Sequence, residues 1–251
     1  MNRKNLLVKY DKEMRLRMMY PEARKEITSD VVRFVRTAPG MNLVGFTFAV
    51  EPELERVIDQ QLDYFVPMRQ PFTWKVYDHD HLPSLGEKLT KREFIREEDP
   101  RAVMVFNLRN TPSQLSLSEE DDVRRISTQN ELMDLIHVVD EVYSGDNSLL
   151  KQRLHSHMNV PGYLSVYAAF EGNQPVSIAW TYFPYGQFAA LSAGHQDERS
   201  YLSLLTARLS EIRERGYRYA VLETSPTTQP NYEAHGFNQL TTVRNYQWTG
   251  N

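Results

Sequence analysis

Between residues 163 and 223, three β-rich runs, one long amphipathic helix and a fourth β-rich run follow each other with little in between. The runs are Tyr163 to Phe170, Val176 to Phe183 and Phe188 to Ala193. Gly172-Asn173 and Pro184-Tyr185-Gly186 separate them as hairpin turns. The helix spans Glu198 to Arg215, with Leu202, Leu205, Leu209 and Ile212 on one face. Arg208, Glu211 and Arg213 are expected to face water, and Gly216 caps the end. Tyr219 to Glu223 then reads as a strand. Hairpins make antiparallel neighbours, whereas a parallel neighbour needs a crossover such as a helix. The stretch therefore calls for a mixed α/β sheet.

The flanks extend this pattern. Val123 to Ser127 reads as a strand and Gln129 to Tyr143 as a helix. A second helix, around Leu149 to His157, stops before Pro161-Gly162. Downstream, Thr228 to Ala234 reads as a short helix and Leu240 to Trp248 as a final strand. The polar run Asn110 to Glu120, with Pro112 and several serines, is the expected linker. Ahead of it, Ser29-Asp30 is expected to cap a helix striped by Val31, Val32, Phe34 and Val35 and ended by Pro39-Gly40. Leu43 to Val50 reads as a strand, and Glu51-Pro52 opens a helix carrying Leu54, Val57, Ile58 and Leu62. Phe72 to Tyr77 and Ala102 to Leu108 read as further strands, with a short helix from His81 to Leu89 between them. Two domains are expected, residues 1–112 and 118–251.

Composition narrows the chemistry. The 251 residues, 41% hydrophobic, suffice for real cores. No cysteine is present, which excludes disulfides, thiolate nucleophiles and Cys-ligated zinc. A formal net charge of -4 argues against a broadly basic nucleic-acid surface; it fits an amine substrate, or solubility alone. Met1 to Tyr20 is rich in Lys and Arg without a signal-peptide core, and no stretch approaches the roughly 18 apolar residues of a membrane helix. A cytoplasmic protein with no membrane partner is expected. Asp78-His79-Asp80-His81 and His155-Ser-His157 carry metal-ligating side chains, yet neither shows a helical i, i+4 pair with a glutamate. A polar turn with a helix cap is expected at the first, and no metal. Tyr217-Arg218-Tyr219 fits a strand with one buried face better than a base-stacking platform. No Walker loop, Ser-His-Asp order or GxSxG elbow occurs.

Two motifs carry a family resemblance. One is Arg213-Glu-Arg-Gly216-Tyr-Arg-Tyr leading into Val221-Leu-Glu-Thr-Ser225; the other is Ser225-Pro-Thr-Thr-Gln-Pro230-Asn-Tyr232-Glu-Ala-His-Gly236-Phe237. With the closing strand, Asp121 to Trp248 resembles the GNAT N-acetyltransferases, whose order of elements it also follows. Trp74-Lys-Val-Tyr-Asp-His-Asp80 is similar, less specifically, to the N-terminal portion of longer bacterial members. The resemblance implies a GNAT acyl-CoA N-acyltransferase fold preceded by a partial GNAT-like N-terminal unit. It implies acetyl transfer from acetyl-CoA to a primary amine, on a small molecule or peptide. Direct attack is expected, since the chain has neither a cysteine nor an activated-serine motif.

Acyl transfer needs the thioester held beside the amine, its carbonyl polarised and the leaving thiolate protonated. In the family, two neighbouring parallel strands splay apart and admit the pantetheine arm; here they would be Phe188 to Gly194 and Tyr219 to Glu223. The resemblance places pantetheine on Leu191, Ser192, Ala193 and Gly194. It places the phosphates near Gln196, Arg199, Ser200 and Tyr201, at a helix N-terminus whose N–H groups and dipole favour anions. Tyr232 matches the position of a tyrosine that protonates the thiolate, and its phenol reads equally well as a packed ring. Glu223 is the candidate acceptor of the amine proton, or a solvated strand-end carboxylate; His195 is a second candidate. Ser225 caps the short helix or touches the cofactor.

The helix entrance departs from the family pattern of Gln or Arg, two residues, Gly, one residue, then Gly or Ala. Counting from Gln196, Arg199 and Tyr201 stand where glycines let the backbone approach phosphates. The alternative is therefore a non-catalytic GNAT-like binding module with a degenerate CoA site. Aminoacyl transfer by a tandem GNAT protein is a third reading, and a homodimer stays open.

Overall fold

The computed structural model describes residues 2–36, 42–110, 122–142, 147–193 and 198–249. In chain order the elements are α1 (Arg3–Tyr10), β1 (Ala23–Ile27), β2 (Val31–Arg36), β3 (Asn42–Thr47), α2 (Leu54–Phe65), β4 (Phe72–Tyr77), α3 (Leu85–Lys91), β5 (Ile95–Arg96) and β6 (Arg101–Asn107). There follow β7 (Val123–Ile126), α4 (Gln129–Val142), α5 (Ser148–Met158), β8 (Leu164–Glu171), β9 (Gln174–Tyr182), β10 (Phe188–Ala193), α6 (Glu198–Glu214), β11 (Tyr219–Thr224), α7 (Gln229–Ala234) and β12 (Asn238–Trp248). The chain forms two compact units, Met1–Met104 with Glu223–Asn251, and Val105–Leu222.

In the first unit β2 lies antiparallel to both β1 and β3, β3 and β4 run parallel, and β12 lies antiparallel on β4. The expected helix over Val31 to Val35 is strand β2. Four apolar residues in five positions suit either a helix stripe or a strand covered on both faces, and spacing alone does not separate them. Here Val31 and Val35 join the cluster built on Val57, Ile58 and Trp74, while Val32 and Phe34 join Met18 in a second cluster. That period-two split between two cores is what a strand delivers. Helix α2 seals the first core with Leu54, Val57, Ile58 and Phe65, each 0% exposed. Burying such side chains contributes about 1.5–3 kcal/mol apiece before chain entropy is subtracted.

In the second unit β7, β8, β9 and β10 are antiparallel in sequence order, and β11 joins β10 in parallel. One face carries Ile126, Leu132, Leu154, Val166, Ile178 and Trp180. The other carries Ala169, Ala179 and Leu204, where α6 packs on β8 and β9. Helix α6 stops as its glycine requires. Gly216, at φ 80°, donates to the Arg213 carbonyl (2.9 Å), and Tyr217 donates to the Ile212 carbonyl (3.1 Å). Together these bonds satisfy carbonyls that the helix leaves open at its end. Arg208 and Glu211, expected in water, are 1% and 7% exposed. Among the described residues no helix is long and apolar enough to cross a membrane.

Candidate functional site

The second unit holds a gap between parallel strands. β10 and β11 pair through Phe188↔Tyr219, Ala189↔Ala220 and Ala190↔Val221, and the ladder ends there. β10 runs on through Leu191, Ser192 and Ala193, which among the described residues pair only with Thr181, Trp180 and Ala179 of β9. Past Ala190, then, the β10 backbone groups that point away from β9 have no strand to bond among the described residues. The stacked rings of Phe188 and Tyr219, with centroids 4.9 Å apart, hold the closed end together.

Helix α6 follows β10 and supplies the rest of the site. Ser200, in its first turn, is buried and donates to the Ser177 hydroxyl on β9 at 2.8 Å. The bond fixes the start of α6 against the sheet. Tyr201 is half-buried, with its hydroxyl inside. Gly194, His195 and Gln196 lie outside the described residues, as does the Arg199 side chain. The expected linker falls largely outside them too.

Arg208 is the residue that sequence reasoning missed. Its Nη1 donates to the Ser192 carbonyl and its Nε to the Leu204 carbonyl, both at 3.0 Å. A buried cation thus takes one of the β10 acceptors past the end of the ladder. The signal was available, since position 208 lies four residues from both Leu204 and Ile212, in the same buried row of α6.

A second polar network in this unit surrounds Glu211. Its Oε1 accepts from Ser165 at 2.8 Å and from Arg215 at 2.7 Å. Burial, then the Glu211 charge and a hydrogen bond to it, push the Tyr167 phenol up to about 12.

The remaining expected site residues belong to the first unit. Glu223 accepts from Lys75 Nζ on both carboxylate oxygens, at 2.5 and 2.7 Å. Burial raises the phenols of Tyr10 and Tyr77 well above their ordinary value, and the Glu223 charge adds to it. The two hydroxyls lie 3.5 Å apart. Tyr232, on α7, is 8% exposed and meets the Phe237 ring edge-on at 5.4 Å. Ser225 serves the turn before α7: its Oγ lies 3.0 Å from Thr228 Oγ1, and its carbonyl accepts from the Gln229 N–H at 3.0 Å.

The Asp78–Asp80 turn is an ion-pair node. His79 Nε2 lies 2.9 Å from Asp11 Oδ1, its Nδ1 lies 2.7 Å from Thr241 Oγ1, and Asp80 pairs with Arg15. Among the described residues no group of three or more His, Asp or Glu is arranged to hold a metal ion.

No protein-family model matches the sequence, and no curated protein does. Solved structures do match the fold. A GCN5-related N-acetyltransferase from Kribbella flavida is 10% identical with a TM-score of 0.69, over 99% of this chain and 95% of that one. A conserved protein from Staphylococcus epidermidis is 15% identical with a TM-score of 0.68, over 91% and 95%. A tandem GNAT protein from the clavulanic acid biosynthesis pathway is 11% identical with a TM-score of 0.59, over 94% and 86%. Identities this low speak for architecture alone. By that architecture, and along almost its entire length, this chain has the fold of the GCN5-related N-acetyltransferases.

Proposed function

We propose that the protein is an acetyl-CoA-dependent N-acetyltransferase acting on a primary amine of a small molecule or peptide. The observation that carries this reading is the parting of β10 and β11 after three pairs, within a fold shared with acetyltransferases. Strand backbone free of a neighbour suits the amides of a pantetheine arm, with Leu191 to Ala193 as its support. The reaction is direct attack. The amine nitrogen adds to the thioester carbonyl, the C–S bond breaks, and the amide and CoA leave. Glu223 is our candidate to accept the amine proton, and Tyr232 to return a proton to the thiolate sulfur. A cytoplasmic setting goes with this reading, because acetyl-CoA is an intracellular thioester.

Calorimetric titration with acetyl-CoA and CoA tests the first step, and release of free CoA thiol over an amine panel tests the second. Micromolar binding, then loss of turnover in Tyr232→Phe with binding kept, is the expected result. No heat and no thermal shift at millimolar ligand overturns it. A non-catalytic binding module is the second reading. It is favoured by the Arg208 bond to the Ser192 carbonyl and by Arg199 and Tyr201 at glycine positions.

A further inference from the structure

The first unit contains a parted pair of its own. β3 and β4 are parallel through Asn42↔Phe72, Leu43↔Thr73 and Val44↔Trp74. Both strands then continue, to Thr47 and Tyr77, without further pairing to each other. From the last pair onward, side chains span the gap. Trp74 Nε1 donates to Thr47 Oγ1 at 3.1 Å. Arg15, 2% exposed, enters from the π-helical turn Asp11–Leu16 that continues α1.

The Arg15 guanidinium is held on all its nitrogens. Nε donates to the Gly45 carbonyl at 3.1 Å, one residue past the last β3–β4 pair. Nη1 and Nη2 donate to the two carboxylate oxygens of Asp80, at 2.7 and 2.9 Å, and Nη1 also donates to Asp11 at 2.8 Å. The carbon of the guanidinium lies 4.5 Å from the Phe46 ring centroid on β3 and 3.9 Å from that of Tyr77 on β4. A backbone carbonyl, a bidentate carboxylate and two aromatic rings are the set that recognises a planar, forked cation and not a compact ammonium. The carboxylate is set in advance, since Asp80 Oδ2 also accepts from the Tyr77 N–H.

We propose that the gap between β3 and β4 is a guanidinium-binding site, filled in cis by Arg15. The occupied gap is closed to a pantetheine arm, so the chain takes up at most one acyl-CoA. That corollary rests on the function proposed above; the guanidinium site does not.

The test uses the full chain carrying Arg15→Ala, with methylguanidinium as the probe and methylammonium as the control of equal charge. Arg15→Ala is expected to melt several degrees below the unaltered protein. About 10 mM methylguanidinium is expected to restore roughly half of that loss, while methylammonium does not and the unaltered protein gains nothing. Adding Asp80→Asn is expected to abolish the rescue. If methylguanidinium stabilises Arg15→Ala no more than it stabilises the unaltered protein, the proposal falls. Should the variant not fold alone, it is refolded from urea with and without the probe. Recovery only with the probe supports the site, and failure in both arms overturns it. Acetyl-CoA titration of the unaltered protein separates the two readings. Two molecules per chain overturn the closed gap, one is the expected result, and none sinks the acetyltransferase reading while leaving the guanidinium site standing.

Discussion

Replacing Arg208 by methionine tests what stands in the way of a cofactor arm in the second unit. The Arg208 guanidinium is 1% exposed and donates to the Ser192 carbonyl at 3.0 Å. Ser192 lies two residues past the last β10–β11 pair, so its carbonyl is an acceptor that an amide entering between the strands would use. A hydrogen bond from a charged donor contributes about 1.5–3 kcal/mol net, and an entering arm has to displace it. Methionine is unbranched and flexible, fills the apolar part of the space and brings no donor. Arg208→Met is therefore expected to tighten acetyl-CoA binding roughly 10- to 100-fold, at 1.4 kcal/mol per decade. Stability is expected to fall by about 1–3 kcal/mol, because the two carbonyls lose their donor. Calorimetry on both proteins reads the affinity, and thermal unfolding checks the fold. A variant that unfolds cooperatively yet binds acetyl-CoA no more tightly than the unaltered chain would put the Ser192 carbonyl outside the path of the arm.

Three further outcomes are expected. Glu211→Gln brings the Tyr167 phenol down from about 12 towards its ordinary 10.0, read by ultraviolet titration of tyrosinate; an unmoved titration means that burial alone raises it. Gly86→Ala lowers the melting temperature. A Cβ there would sit 2.2 Å from Tyr246 Oη and 2.9 Å from its Cζ, and overpacking of about 1–3 kcal/mol outweighs a helix-propensity gain of about 1 kcal/mol. Gly86→Ala with Tyr246→Leu recovers much of the loss, and a single variant as stable as the parent contradicts this close approach. Burial by itself would raise the Asp11 carboxyl, but hydrogen bonds and charge from His79 and Arg15 hold it below its ordinary value. Its contribution to stability is complete above the unfolded pKa of about 3.9 and is lost as pH falls through the lower folded value. Asp11→Asn thus costs stability at neutral pH and flattens the acid limb of a denaturation series; parallel limbs for the two proteins would show that the coupling is absent.

The second unit was largely legible in the sequence because its signals are local. Turn residues bound β8, β9 and β10, leucines stripe α6, and Gly216 marks where that helix stops. Less legible were positions whose surroundings come from far along the chain. Charged side chains seldom lie in a core, and nothing near Arg208 in sequence announces the Ser192 carbonyl as its partner. Val31 to Val35 mimics a helix stripe because a strand buried on both faces loses its alternation. Helix α1 buries only Tyr10 and so offered no stripe to find. Of the candidate site, the strand half was readable from the element order. Lys75 at Glu223 and Arg15 at Asp80 depend on contacts across 148 and 65 residues, which periodicity does not encode.

The place of β12 has a consequence for the order of events during synthesis. The first unit is discontinuous: Phe72 of β4 pairs with Trp248 of β12, and Tyr77 with Val243. Its sheet stays unfinished along β4 until residues 243–248 have left the ribosome, whereas Val105–Leu222 is one continuous stretch. Residues 105–222 can thus settle first, while residues 1–104 wait for β12. During that wait β4 presents an unpaired edge, with Phe72 and Trp74 still lacking Trp248 and Tyr246 beside them. Such an interval exposes a nascent chain to misassembly with its neighbours and makes it a client for holding chaperones.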